Sequence, residues 1–175
     1  MAGVARKLIL GLGLLTACVA CADGSGATTG SSKAGPCRGA DLSGSFAVVL
    51  HSAGAGNITY DLSLRNRSTA ACTVTGLPAV VLHGAGGRRL PTHVRAAYPG
   101  RLAVLVTLRP GRKTHATARF SPDVPGVGEG APGPCEPKAY RLVVAAPGGG
   151  TVTVPVVPPT PVCEHGQLQF SNYLR

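Results

Sequence analysis

Tryptophan is absent from this chain of 175 residues, and aromatics amount to four tyrosines and three phenylalanines. A core must therefore come mainly from Val, Leu and Ala, and little is available for the aromatic platforms on which sugars stack. Methionine occurs once, at Met1, in a segment expected to be removed, which excludes a methionine-based copper site. Carboxylates are few and scattered: Asp41, Asp61, Asp123, Glu129, Glu136 and Glu164 are the ones beyond the N-terminal region. Nothing in that scatter suggests the paired acids of a glycosidase. Nucleophile motifs are missing too, with no G-x-S-x-G and no S-x-x-K. The histidines (His51, His83, His93, His115 and His165) show no H-x-H or H-E-x-x-H spacing. Gly126-Val127-Gly128-Glu129-Gly130 lacks the Gly-Lys-Ser/Thr ending of a phosphate loop and precedes no helical pattern, so it reads as a loop. The sequence assigns no catalytic residue, no cofactor and no metal ligand, and the expectation is a protein that is not an enzyme.

What is present begins with an export signal. Arg6-Lys7 form a positive n-region and Leu8 to Leu15 an apolar h-region. The apolar stretch ends before Asp23, short of the roughly 20 residues a spanning helix needs. Leu15-Thr16-Ala17-Cys18 resembles the bacterial lipobox, in which the cysteine takes a diacylglyceryl group and becomes residue one after cleavage. Two acyl chains, such as palmitate, anchor stably where one does not. The expected organisation is a signal peptide over 1–17, a lipid-anchored Cys18 with a Gly/Ser/Thr tether over 18–36, and a domain over 37–175. The expected location is the outer face of the cytoplasmic membrane. A tether of this composition reaches about 20 Å over fifteen residues. Cys21 on the tether has no assigned role.

Beyond Cys37 the apolar period is two. Ile58, Tyr60, Leu62 and Leu64 alternate with Thr59, Asp61, Ser63 and Arg65, and Ala116, Ala118 and Phe120 with His115, Thr117 and Arg119. Tyr140 to Val144 and Val152 to Val156 continue the pattern, and apolar runs stand at Phe46–Leu50, Ala79–Leu82, Leu102–Leu108 and Leu168–Phe170. Turn residues separate them, as at Gly84-Ala85-Gly86-Gly87, Arg109-Pro110-Gly111 and Pro147-Gly148-Gly149-Gly150. Ser121 to Pro137, rich in proline and glycine, reads as a long surface loop. Asn57-Ile58-Thr59 and Asn66-Arg67-Ser68 match the glycosylation acceptor but are expected to make turns through the Asn side chain. About eight short strands without a helical period predict an all-β, antiparallel β-sandwich of the immunoglobulin-like or Greek-key kind.

Cys37, Cys72, Cys135 and Cys163 are an even set in an exported chain and predict two disulfides, with three connectivities open. Cys72–Cys135 with Cys37–Cys163 is the favoured pairing, the second tying the domain's entry to its last strand. None of the four forms a C-x-x-C pair, which argues against zinc.

Leu62-Ser63-Leu64-Arg65-Asn66-Arg67-Ser68, Cys72-Thr73-Val74-Thr75-Gly76-Leu77-Pro78-Ala79-Val80, the Leu108-Arg109-Pro110-Gly111 turn, Cys135-Glu136-Pro137 and the late Cys163 occur in an order that resembles the actinobacterial lipoprotein family of the domain of unknown function 4232 type. The resemblance runs from Cys37 to about Phe170. It implies an immunoglobulin-like sandwich at the cell surface and supplies no chemistry.

The charge offers one lead. The formal net charge is +10, or about +8 once Arg6 and Lys7 are removed, and such a balance favours anionic partners. Arg88, Arg89, Arg95 and Arg101 lie in one segment and Arg109, Arg112, Lys113 and Arg119 in the next. The leading expectation is a non-catalytic binding or adaptor module engaging an envelope protein. The alternative is direct binding of an anionic envelope polymer or lipid through these arginines. Solute binding ranks below both, and export removes the chain from nucleic acid.

Overall fold

The computed structural model describes residues 33–129 and 135–174. The signal peptide, Cys18, Cys21 and most of the tether lie outside the described residues. Ten strands follow in chain order: β1 (Leu42–Val48), β2 (Ile58–Asn66), β3 (Cys72–Val74), β4 (Ala79–His83), β5 (His93–Ala96), β6 (Val106–Leu108), β7 (Lys113–Phe120), β8 (Ala139–Ala145), β9 (Thr151–Thr160) and β10 (Gln167–Phe170). Eight of them form one sheet in the order β4-β8-β9-β1-β2-β7-β10-β5, and β3 pairs with β6 separately. The protein is all-β, as the alternation predicts. Most pairs are antiparallel, but β1–β9 and β5–β10 are parallel, a mixture that period-2 patterning cannot reveal.

The sheet curls over its own core. Adjacent strands sit about 4.8 Å apart, so the three steps from β1 to β10 would span about 14 Å in a flat sheet. Yet the ring centroids of Phe46 on β1 and Phe170 on β10 are 6.2 Å apart. Phe46 also meets Tyr60 at 5.0 Å, and Tyr60 meets Phe120 at 5.2 Å. The scarce aromatics thus gather at the centre, and Val, Leu and Ala from β2, β7, β8, β9 and β10 fill the rest. The buried Tyr60 hydroxyl bonds the Pro158 carbonyl at 2.8 Å and the Thr160 hydroxyl at 2.5 Å, so its polar end is satisfied inside the core. β9 carries Pro155, Pro158 and Pro159, which cannot donate to a ladder, and its register with β8 shifts just where Pro155 faces Arg141.

Two expectations are corrected. The disulfides are Cys37–Cys72 and Cys135–Cys163, with Cα separations of 4.8 and 5.5 Å, not Cys72–Cys135 with Cys37–Cys163. The entering chain runs beside β3, where Pro36 bridges Thr73 in parallel and the Cys37 amide donates to the Thr73 carbonyl at 2.9 Å. That places Cys37 next to Cys72. Cys163 lies at the other end of the sheet, its amide bonded to the Ser121 carbonyl past the end of β7. Just before Cys37 the Thr73 amide donates to the Gly35 carbonyl at 2.8 Å, so the chain already runs along β3 there. Finally, the apolar run from Leu102 to Leu108 is strand only from Val106. Its partner β3 has three residues, and Leu102 beyond it is 87% exposed.

Candidate functional site

The inward turn of Tyr60, Leu62 and Leu64 obliges Thr59, Asp61, Ser63 and Arg65 to face outward, because successive side chains alternate. β7 does the same with Lys113, His115, Thr117 and Arg119. Register then sets the rows of this outer face. Ser43, Arg65 and Lys113 are Cα partners in one row across β1, β2 and β7, and Ser45, Ser63 and His115 in the next. Asp61 and Thr117 follow, then Thr59 and Arg119, whose row continues through Gln169 to Arg95 on β5.

The first row is electrostatically unusual. Arg65 and Lys113 stand directly opposite one another, an arrangement that costs stability in a sheet. Asp61 is the nearby carboxylate on these strands, and its Oδ2 is bonded to Nδ1 of His115 at 2.8 Å. Among the described residues the close contacts between basic and acidic side chains are His115–Asp61 and His165–Glu129, so neither Arg65 nor Lys113 has a counter-charge there. Ser43, Gly44, Ser45, Ser63, Arg65 and Lys113 line a shallow depression of about 210 Å³. Two cations flanked by three hydroxyls can hold an anionic oxygen group such as a phosphate or a carboxylate.

Asn66 fixes this end of the face. It is fully buried, its Nδ2 donates to the carbonyls of Ala70 at 2.7 Å and Leu108 at 2.9 Å, and its Oδ1 accepts from the Ser68 amide. The expected Asn-directed turn is therefore present. The Asn66 carbonyl receives the Gly111 amide at 2.8 Å, which seats the 109–112 turn beside Arg65. Gly111 has φ of 75°, a left-handed conformation that glycine adopts without penalty.

The arginines of the two sequence segments do not make one surface. Arg109 and Arg112 lie in the turn entering β7, and Arg95 and Arg119 share a row. Arg88 and Arg89 follow a short helical turn at the β4 edge, where Arg89 bridges His83. Arg101 lies over the Tyr98 ring, 5.8 Å from its centroid. Arg65, the partner of Lys113, escaped the sequence reading with Ser43, Ser45 and Ser63. The alternation of β2 and β7 put all of them outward, but only the strand pairing puts them together.

A second concavity, about 750 Å³, is lined by His93, Arg95, Pro125, Gly126, Val127, Glu164, His165 and Gln167. Its wall includes three consecutive left-handed residues, Glu164, His165 and Gly166, with φ of 54°, 57° and 79°. For Glu164 and His165 that conformation is costly, and Glu129 holds it. The Glu129 carboxylate accepts the amides of Gly126 at 2.6 Å and Glu164 at 2.8 Å, and also that of His165. Burial pushes the Glu129 carboxyl up, but the Gly126, His165 and Glu164 amides and the nearby His165 outweigh it and hold the group below its usual range. One ligand atom each from Glu129, Glu136 and His165 lie within 4.8 Å of one another, the set of described residues best placed to hold a metal. Of the other histidines, His83 bonds the Gly87 carbonyl at 2.8 Å and His93 lines the cleft.

No curated protein and no solved structure matches the chain. The profile of the family described as a domain of unknown function, DUF4232, matches residues 37–173, and the chain belongs to that family.

Proposed function

We propose that this protein is a non-catalytic binding module of the bacterial envelope, anchored by lipid at Cys18, whose ligand is an anionic polymer or lipid headgroup. The observation that carries the reading is the row Ser43–Arg65–Lys113. Two cations face each other in register while the neighbouring carboxylate of Asp61 is committed to His115. An anion seated between them converts repulsion into two charge-assisted contacts. The net charge, +10 for the full chain and about +8 without Arg6 and Lys7, adds long-range attraction, and Arg95 and Arg119 extend the same face.

A protein-adaptor reading has its own support. Tyr98, Leu102, Val104 and Leu174 are exposed and line one hollow, and apolar side chains gathered at a surface mark protein contacts. A cross-linking pull-down from intact cells at low and high salt separates the two. Recovery of anionic polymer or lipid, lost as salt rises, supports the basic face. A discrete protein that survives high salt overturns it in favour of an adaptor.

A further inference from the structure

We propose that Glu129, Glu136 and His165 form a binding site for a divalent cation of the zinc class at the wall of the larger cleft. No ligand spacing in the sequence announces it, because the three residues come together only through the fold. The donor set, one imidazole nitrogen and two carboxylates, suits zinc and its first-row neighbours. Zinc bonds of about 2.0–2.2 Å place tetrahedral ligand atoms about 3.4 Å apart. Atoms within 4.8 Å of one another need to close by at most about 1.4 Å.

The orientation of His165 points the same way. Its Nε2 lies 3.2 Å from the Val127 carbonyl oxygen. A carbonyl only accepts, so Nε2 donates there and Nδ1 is the nitrogen turned toward Glu129. Nδ1 lies 3.5 Å from Oε1 of Glu129, already close to the roughly 3.4 Å between two tetrahedral zinc ligands. A ring held by a backbone carbonyl at one nitrogen and free at the other is also the arrangement of metal-ligating histidines.

The rest of the site is held in place. Of the roughly four acceptor positions on a carboxylate, three on Glu129 are taken by the amides of Gly126, Glu164 and His165. These aim the carboxylate and leave one position for a metal. The Cys135–Cys163 bridge joins the two loops that carry Glu136 and His165, one and two residues from its half-cystines. His93 and Glu164 line the adjoining cleft and stand near any remaining coordination positions.

The test is calorimetric titration of zinc chloride into the chelator-treated full-length protein in detergent, alongside Glu136→Gln, His165→Asn and Asp61→Asn. Asparagine at 165 tolerates the left-handed backbone, and Asp61→Asn disturbs the other histidine pair as a control. One zinc per chain is expected, with affinity at least tenfold weaker in Glu136→Gln and His165→Asn and unchanged in Asp61→Asn. Cobalt substituted for zinc should give visible absorption that the same two variants lose. Should His165→Asn fail to fold, Glu136→Gln decides alone. No stoichiometric uptake by the wild type, or uptake as tight in Glu136→Gln, overturns the proposal.

Discussion

Replacing Lys113 with glutamine should make the folded domain slightly more stable, although it fills no space. Lys113 and Arg65 are Cα partners across β7 and β2, and unit charges about 6 Å apart in water repel by about 0.7 kcal/mol. A Debye length of about 30 Å in 10 mM salt leaves most of that repulsion, whereas about 3 Å in 1 M salt leaves about a tenth. The expected gain is about 0.5 kcal/mol at low salt, a rise of about 2 °C in Tm for a domain of this size. In 1 M salt it should vanish. The apolar stem of lysine also covers neighbouring surface, and its loss subtracts an amount that salt does not change. The diagnostic is therefore the difference between the two salts, read by thermal unfolding under circular dichroism. A variant whose Tm relative to wild type is the same at both salts, or falls further at low salt, would refute the claim that this row is held against its own repulsion.

Three further outcomes follow from the packing. Asn66→Ala removes the donor of the Leu108 carbonyl and the acceptor of the Ser68 amide, leaving the Ala70 carbonyl with the Ser68 hydroxyl, and should cost about 2 kcal/mol in urea unfolding. Burial pushes the Tyr173 phenol up to about 12 from an ordinary 10.0. Above pH 10 the unfolded chain ionises while the folded one keeps its proton, so stability is intact below about 10 and falls by about 3 kcal/mol as pH rises to about 12. Tyr173→Phe should flatten that alkaline limb in a pH series of unfolding curves. Non-reducing peptide mapping should recover Cys37–Cys72 and Cys135–Cys163, whose separations of 35 and 28 residues make each bridge worth about 4 kcal/mol. A Cys37–Cys163 peptide would contradict the fold at its entry.

The fold was legible where strands were long and half-buried. β2 and β7 show their inner and outer faces in the bare alternation of Ile58–Arg65 and His115–Phe120, because one face meets the core and the other meets water. β3 and β5, at three and four residues, are too short to carry a period. Leu102 and Val104 look like strand residues by composition, yet they outrun the short partner that would bury them. Pairing was the part hidden from sequence. Which cysteine faces which depends on Pro36 lying along β3, and the grouping of Arg65 with Lys113 depends on the register of two strands 48 residues apart. The same blindness separated Glu129 from His165, which meet through backbone amides in a left-handed turn that no periodicity foretells.

The central claim is that the Arg65–Lys113 row is where the protein meets an anion. Its most direct test is equilibrium binding of the full-length protein to isolated anionic envelope polymer across a salt series, compared with the Arg65→Ser/Lys113→Ser double variant. The account predicts binding that weakens as salt rises, and a variant that binds at least tenfold more weakly at low salt with a shallower salt dependence. Equal affinity and an equal salt slope in the two proteins would place the contact elsewhere and contradict the account.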